Sequence, residues 1–132
     1  MIGIILVTHN GLGDSLVDCV RHVLGHVPPN LKVLPVRADD DPRHKETQGR
    51  ALITQLGAEN GVLLLADVYG ATPCNIAQRL QQPGRVKGVA GVNLPMVLRA
   101  INYCNMPLAE VVKKVLEGGR ECIVLMNTGD QK

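Results

Sequence analysis

The stretch that decides the fold is MIGIILVTHNGLG, residues 1–13. Its first seven residues form an apolar run rich in β-branched side chains, and a helical pattern begins directly after the polar residues 8–10. Apolar strand-like runs alternate with helical patterns along the rest of the chain, which predicts βαβ units. The predicted strands are 2–7, 31–36, 62–66, 86–90 and 121–126, and the predicted helices are 13–24, 43–57, 73–82, 94–104 and 107–117.

This pattern predicts an α/β fold of one domain, residues 1–132, with three α/β/α layers around a mostly parallel, doubly wound sheet. The first four predicted strands are continuous apolar runs, as expected for strands that are buried on both faces. The run 121–126 follows the last helix closely, and we expect the pair Gly118-Gly119 to end that helix.

Composition excludes several classes of function. The net charge of +2 is too balanced for nucleic-acid binding, and the only aromatic residues are Tyr69 and Tyr103, too few for base stacking. No apolar stretch reaches the length of about 20 residues that a membrane helix needs. The chain opens directly on a strand-like run, so we expect a cytoplasmic protein whose four cysteines are reduced and mostly buried.

Polar residues follow three of the predicted parallel strands. His9 follows the first strand, Asp67 the third and Asn93 the fourth. Because the carboxyl ends of parallel strands meet at one edge of the sheet, where ligands bind, these residues are expected to share an edge. Gly11 and Gly13 after His9 allow a ligand to approach the backbone, and the helix that begins there favours an anion.

These residues suit phosphoryl transfer through His9. Asp67 can accept a hydrogen bond from one imidazole nitrogen and leave the lone pair of the other as a nucleophile. Thr72 can cap the helix that starts at Thr72-Pro73, and Thr72, Asn75 and Gly11 are candidate phosphate-binding residues. Each of these residues also has a purely structural interpretation as a loop, turn or capping residue, and for Asn93 the sequence leaves both interpretations open.

Other ligand classes have weaker support in the sequence. His22 and His26 are spaced four apart, as in some metal sites, but no third ligand accompanies them, and His44 lies in a charged helix start. We therefore predict no metal. We also predict no cofactor, because the glycines near His9 do not form a dinucleotide-binding fingerprint and no Walker A loop is present.

The ordered set of motifs resembles the mannose-family enzyme IIA domain of the bacterial sugar phosphotransferase system. The motifs are the opening strand into Thr8-His9, the strand 61–67, the stretch 70–75 (Gly-Ala-Thr-Pro-Cys-Asn) and the stretch 90–96. The resemblance implies that His9 is phosphorylated and that Asp67 hydrogen-bonds it. Where the family often has a second glycine, this chain has Ala71.

The resemblance also implies partners. The phosphoryl donor would be the phosphocarrier protein HPr, and the acceptor would be a IIB component. Peripheral association with a membrane permease is compatible with this role. A homodimer that exchanges the last strand is implied as well, with Gly118-Gly119 as a candidate hinge. Some mannose-type proteins continue into a IIB domain, and these 132 residues contain none.

Three alternatives remain open at this stage. The first is a regulatory module whose phosphorylation is sensed by a partner. The second is the phosphotransfer subunit of a dihydroxyacetone kinase, and the third is a flavodoxin-like protein that binds a nucleotide or flavin. The stretch 70–73 favours the sugar system over the kinase. The scarcity of aromatic residues and the missing phosphate loop argue against the flavin binder.

Overall fold

A computed structural model describes residues 1–57 and 59–127. It confirms the predicted α/β fold with four parallel strands in the order β2-β1-β3-β4 and with five helices. The elements in chain order are β1 (Gly3–His9), α1 (Leu12–Leu24), β2 (Leu31–Val36), α2 (Pro42–Leu56), β3 (Val62–Ala66), α3 (Thr72–Leu80), β4 (Val86–Ala90), α4 (Leu94–Asn102) and α5 (Leu108–Glu121).

The sheet separates two hydrophobic cores, because successive side chains of a strand point to opposite faces. Ile4 and Leu6 of β1 pack with α1, α4 and α5, whereas Ile5 and Val7 pack with α2 and α3. All four of these side chains are fully buried. The first strand is therefore the central buried strand of the sheet, with both helix layers packed on it.

The parallel register brings the carboxyl ends of three strands to one edge. His9 pairs with Val36 at the end of β2, and Val7 pairs with Ala66 at the end of β3. The backbone N–H of Asn10 donates to the Val36 carbonyl oxygen at 3.0 Å, which extends the β1–β2 pairing beyond His9. The loops after β1, β2 and β3 consequently start side by side.

The prediction that Gly118-Gly119 ends the last helix is wrong. Helix α5 runs through Gly118 and Gly119 to Glu121, and both glycines are buried. A Cβ atom at Gly118 would lie 2.5 Å from Cγ of Arg99, and one at Gly119 would lie 2.8 Å from Cγ of Met96. The glycines therefore allow α5 to pack closely on α4, and tertiary contact overrides their tendency to end a helix.

The predicted strand 121–126 is also not a strand in the structure. Residue 121 still belongs to α5, and residues 123–127 have no regular secondary structure. The side chains of Ile123, Val124, Leu125 and Met126 are between 71 and 93% exposed. An apolar run that fits a buried strand thus lies without a neighbouring strand in the described part of the chain.

The cysteines differ from the expectation that most are buried. Only Cys74 is buried, Cys104 is half-buried, and Cys19 and Cys122 are exposed, all four as free thiols. Within the described ranges, no helix combines the length and the apolar character needed to cross a bilayer.

Candidate functional site

His9 is the last residue of β1, and its side chain is 45% exposed. The alternation along β1 places it on the face of α2 and α3, because Val7, two residues earlier, packs there. Asn10 follows with a φ of 47°, a left-handed conformation that asparagine tolerates. The chain therefore turns away sharply after His9 and leaves its ring open to solvent at the edge of the sheet.

Asp67 fixes the position of His9 from the neighbouring strand. Its Oδ2 accepts a hydrogen bond from the backbone N–H of His9 at 2.8 Å and lies 2.8 Å from Nδ1 of the same residue. Its Oδ1 accepts a hydrogen bond from the backbone N–H of Val68, also at 2.8 Å. The carboxylate side chain is only 7% exposed, so it is held on three sides beneath an exposed imidazole.

The charge state of Asp67 determines the tautomer of the ring. Burial raises the pKa of the Asp67 carboxyl, but the hydrogen bonds from His9 and Val68 and the attraction to the imidazole together lower it below its ordinary value. The carboxylate is therefore ionised at neutral pH and can only accept hydrogen bonds. Nδ1 of His9 must carry the proton, which leaves the lone pair on Nε2.

His9 opens into a cleft of about 480 Å³ between the loops at this edge. Pro42, the first residue of α2, and Thr72, the first residue of α3, both line this cleft. Both helices thus begin beside the ring, and helix N-termini favour anions through their positive dipole ends and their free N–H groups. The ring therefore borders this cleft while remaining partly exposed to solvent.

Two of the predicted phosphate-binding residues lie on α3. Thr72 lines the cleft, is exposed and is the first residue of the helix. Contrary to expectation it makes no capping hydrogen bond, since the capping position belongs to Ala71. Asn75 lies one turn further along the same exposed side of the helix and does not line the cleft.

The remaining predicted residues lie elsewhere. Gly11 precedes α1 as its capping residue, and Gly13 is buried, with the position of a Cβ atom only 2.7 Å from Oγ1 of Thr8. Gly13 therefore permits close helix–sheet packing rather than the approach of a ligand. Asn93 caps α4 by accepting from the N–H of Met96 at 3.0 Å, and it also donates to the carbonyl oxygen of Gly119 at 3.4 Å. The structure does not bring Gly11 or Asn93 into the cleft around His9.

Sequence reasoning missed Arg37, which also lines the cleft. It directly follows Val36, the residue that pairs with His9 in the sheet. The signal was available, because Arg37 stands at the end of the second strand as His9 stands at the end of the first. Asp40, which lines the cleft too, accepts a hydrogen bond from the Arg37 backbone N–H at 2.7 Å.

A metal centre is not evident in residues 1–57 and 59–127. No three histidine, cysteine, aspartate or glutamate side chains come together there in a group that could hold an ion. His22 and His26 are both exposed on or beside the end of α1.

Comparison with known proteins identifies the family of this chain. Residues 3–116 match the family model described as "PTS system fructose IIA component". The chain belongs to this family. The chain is 26% identical over 123 residues to the mannose-specific EIIAB component of Escherichia coli strain K12, which covers 91% of this chain and 38% of that protein. The chain thus spans well under half the length of that relative.

Two further relatives agree with the assignment. The fructose-specific EIIA component of Bacillus subtilis strain 168 is 26% identical over 103 residues, which is 77% of this chain and 70% of that protein. The crystal structure of EIIA from Streptococcus agalactiae superimposes with a TM-score of 0.85 at 24% identity, covering 95% of this chain and 97% of that one. The family model and both of these relatives carry the names of IIA components of phosphotransferase systems.

Proposed function

We propose that Nε2 of His9 accepts a phosphoryl group from HPr and passes it to a IIB component. The observation that carries the proposal is the pair formed by His9 and Asp67, with Nδ1 of the ring 2.8 Å from a buried carboxylate oxygen. The lone pair of Nε2 attacks phosphorus while the bond from phosphorus to the donor imidazole breaks, and the donor nitrogen keeps that electron pair. No general base is needed, because the attacking nitrogen carries no proton.

Asp67 has two roles in this reaction. It fixes the ring in the tautomer that exposes a lone pair on Nε2, and its charge offsets the positive charge that the ring acquires as the new bond forms. Its lowered pKa keeps it ionised throughout. The reverse transfer to the acceptor uses the same groups, because the bond that forms and the bond that breaks are both phosphorus–nitrogen bonds.

We infer that the donor and the acceptor dock on exposed apolar residues that follow β1 and β3. Leu12, which follows the end of β1, is 44% exposed. Val68 and Tyr69, which follow β3, are 56% and 78% exposed. Exposed apolar side chains beside an open site are typical of surfaces that bind other proteins. The replacement Tyr69→Ala should therefore raise the KM for phosphorylated HPr and leave phosphorylation by a small chemical donor unchanged.

One experiment tests the phosphoryl-carrier function directly. The protein is incubated with enzyme I, HPr and phosphoenolpyruvate, and its intact mass is measured. We expect one acid-labile, base-stable phosphoryl group on the wild type and on the control variant His22→Ala, whose side chain lies at the surface of α1. The variant His9→Ala should acquire none. Full phosphorylation of His9→Ala would overturn the proposal.

We further propose a homodimer in which residues 122–126 pair with the β4 edge of a second copy. The apolar side chains of 123–126 are exposed, and within the described chain no second strand covers the outer edge of β4, where Val86 forms an isolated antiparallel bridge with Gln82. On its outer side the N–H of Gly88 donates to the side chain of Gln81 at 2.9 Å. The predicted hinge at Gly118-Gly119 is replaced by the end of α5, since both glycines are inside the helix. Light scattering that shows a monomer at micromolar concentration would reject the dimer.

A further inference from the structure

The geometry points to Arg37 as the cation that binds the phosphoryl group carried by His9, an inference that rests on the proposed function. His9, Arg37 and Thr72 line the same cleft. Arg37 is the residue directly after Val36, the strand partner of His9, and the hydrogen bond from Asn10 N–H to the Val36 carbonyl oxygen holds the two strand ends together. Arg37 therefore follows directly on the strand position that is paired with His9, and both residues border the same cleft.

Hydrogen bonds between Arg37 and Asp40 hold the turn that carries Arg37 in place. The N–H of Arg37 donates to Oδ2 of Asp40 at 2.7 Å, and the N–H of Asp40 donates back to the carbonyl oxygen of Arg37 at 3.1 Å. Nζ of Lys45 lies 3.5 Å from the same Oδ2. Asp40 is thus occupied by a backbone N–H and by a lysine.

The guanidinium of Arg37 lies near enough to Asp40 to help lower the pKa of that carboxyl, yet no ion pair engages it in the described part of the chain. Among residues 1–57 and 59–127, the ion pairs are His9–Asp67, Arg21–Asp18, Lys45–Asp40 and Arg50–Glu46, and none of them uses Arg37. The side chain is exposed at the cleft. A guanidinium presents several N–H donors in a planar fork that matches phosphate oxygens.

Charge balance explains why the cleft needs a cation. Asp67 lies beneath the ring, and Asp40 lines the cleft with Lys45 as its ion-pair partner, so a phosphoryl group on His9 adds negative charge beside a carboxylate that has only the ring as its partner. The N-termini of α2 and α3 offset part of this charge. In α2, however, the N–H of Arg43 is already bound to Oδ1 of Asp41, and Pro42 has no N–H to offer. Arg37 supplies the full positive charge that these helix ends lack.

The test separates phosphate binding from protein docking by using a small donor, phosphoramidate. Nε2 of His9 forms the new bond to phosphorus, the phosphorus–nitrogen bond of phosphoramidate breaks, and ammonia leaves with that electron pair after protonation. The phosphorylated protein is then titrated by 31P NMR between pH 5.5 and 9. In this range the 31P shift follows the proton of the phosphohistidine ring, and a neighbouring cation disfavours the protonated form and shifts the midpoint of this titration to lower pH.

The variants are Arg37→Gln, Arg37→Lys and the control Arg43→Gln, which removes the same charge from α2 at a residue outside the cleft lining. We expect Arg37→Gln to raise the midpoint by roughly half to one pH unit, the effect of one charge about 4 Å away near solvent. Arg37→Lys should keep part of the shift, and Arg43→Gln should match the wild type. Equal midpoints in Arg37→Gln and wild type would overturn the role of Arg37. A wild type that takes up a phosphoryl group on His9 neither from phosphoramidate nor from phosphorylated HPr would instead overturn the proposed function.

Discussion

Replacing Asp67 by asparagine probes the pair with His9 most directly. The carboxylate accepts three hydrogen bonds through its two oxygens, from the backbone N–H of His9, from Nδ1 of His9 and from the N–H of Val68. An amide has one oxygen and one NH2 group, so at least one of these donors must face another donor. A hydrogen bond to an ionised group contributes about 1.5–3 kcal/mol, and Asp67→Asn should lower the free energy of unfolding by about that amount at neutral pH.

The loss of stability should depend on pH in a defined direction. The pKa of Asp67 is lowered in the folded protein, because the hydrogen bonds and the attraction to the imidazole outweigh its burial. The charged form therefore contributes stability above the unfolded-state pKa of about 3.9, and this contribution is lost as the pH falls through the lower folded-state value. Urea unfolding should show wild type and Asp67→Asn far apart at pH 7 and converging below about pH 4.

The same substitution should slow phosphoryl transfer. Losing about 1.5–3 kcal/mol of stabilisation from the transition state corresponds to a rate about tenfold to about 150-fold lower. If the NH2 group faces His9, Nδ1 becomes the acceptor and the proton moves to Nε2, which removes the nucleophile. Rapid-quench transfer from purified phosphorylated HPr measures the rate, and the 15N shifts of the ring nitrogens report the tautomer.

The control for this experiment is Asp41→Asn. Asp41 carries the same charge near the same edge and accepts the N–H of Arg43 at 3.1 Å, but it does not touch the imidazole. Asparagine caps helices about as well as aspartate, so this variant should transfer at the wild-type rate. An Asp67→Asn protein with an unchanged rate and an unchanged tautomer would refute the orienting role and leave Asp67 as a turn residue.

Three further predictions concern packing and metal. Thr8→Val should leave the free energy of unfolding equal or raise it by up to about 3 kcal/mol in urea denaturation, because the buried Oγ1 of Thr8 has no hydrogen-bond partner in the described chain. Gly13→Ala should lower the thermal unfolding midpoint more than Gly119→Ala. A Cβ at residue 13 would meet the short, stiff side chains of Thr8 and Val33 at 2.7 Å, whereas a Cβ at residue 119 would meet a flexible methionine. Chelator added to purified phosphorylated HPr and this protein should not slow transfer, and a loss that zinc or magnesium restores would contradict the metal-free chemistry.

The sequence predicts most of the fold because the decisive signals are local. The first four strands are continuous apolar runs whose burial on both faces the structure confirms for β1 and β3, and Gly25 and Pro42 bound helices as their residue types predict. The pairing of His9 with Asp67 also agrees with the sequence, since a parallel sheet brings the ends of its strands to one edge. These features require no knowledge of distant contacts.

The features that the sequence predicts wrongly depend on contacts between residues that are distant in the chain. Gly118 and Gly119 continue a helix because Arg99 and Met96 of α4 lie against them, and no local rule contains that contact. The run 121–126 has the composition of a buried strand, yet a strand needs a neighbour that its own sequence does not encode. Asn93 caps a helix and binds Gly119, a role that its position after a strand does not distinguish from ligand binding.

The site also explains how a carrier remains rigid and yet accessible. β1 is buried on both faces up to Thr8, and Asp67 binds both the backbone and the ring of His9, so little freedom remains for the imidazole to lose on reaction. The ring itself is 45% exposed, because a group that reacts with a donor protein and then with an acceptor protein must be accessible to both. A deep pocket with many cations would hold the phosphoryl group too firmly to release it. One arginine and two helix ends at an open edge offset its charge while leaving the phosphorus accessible to the next nucleophile.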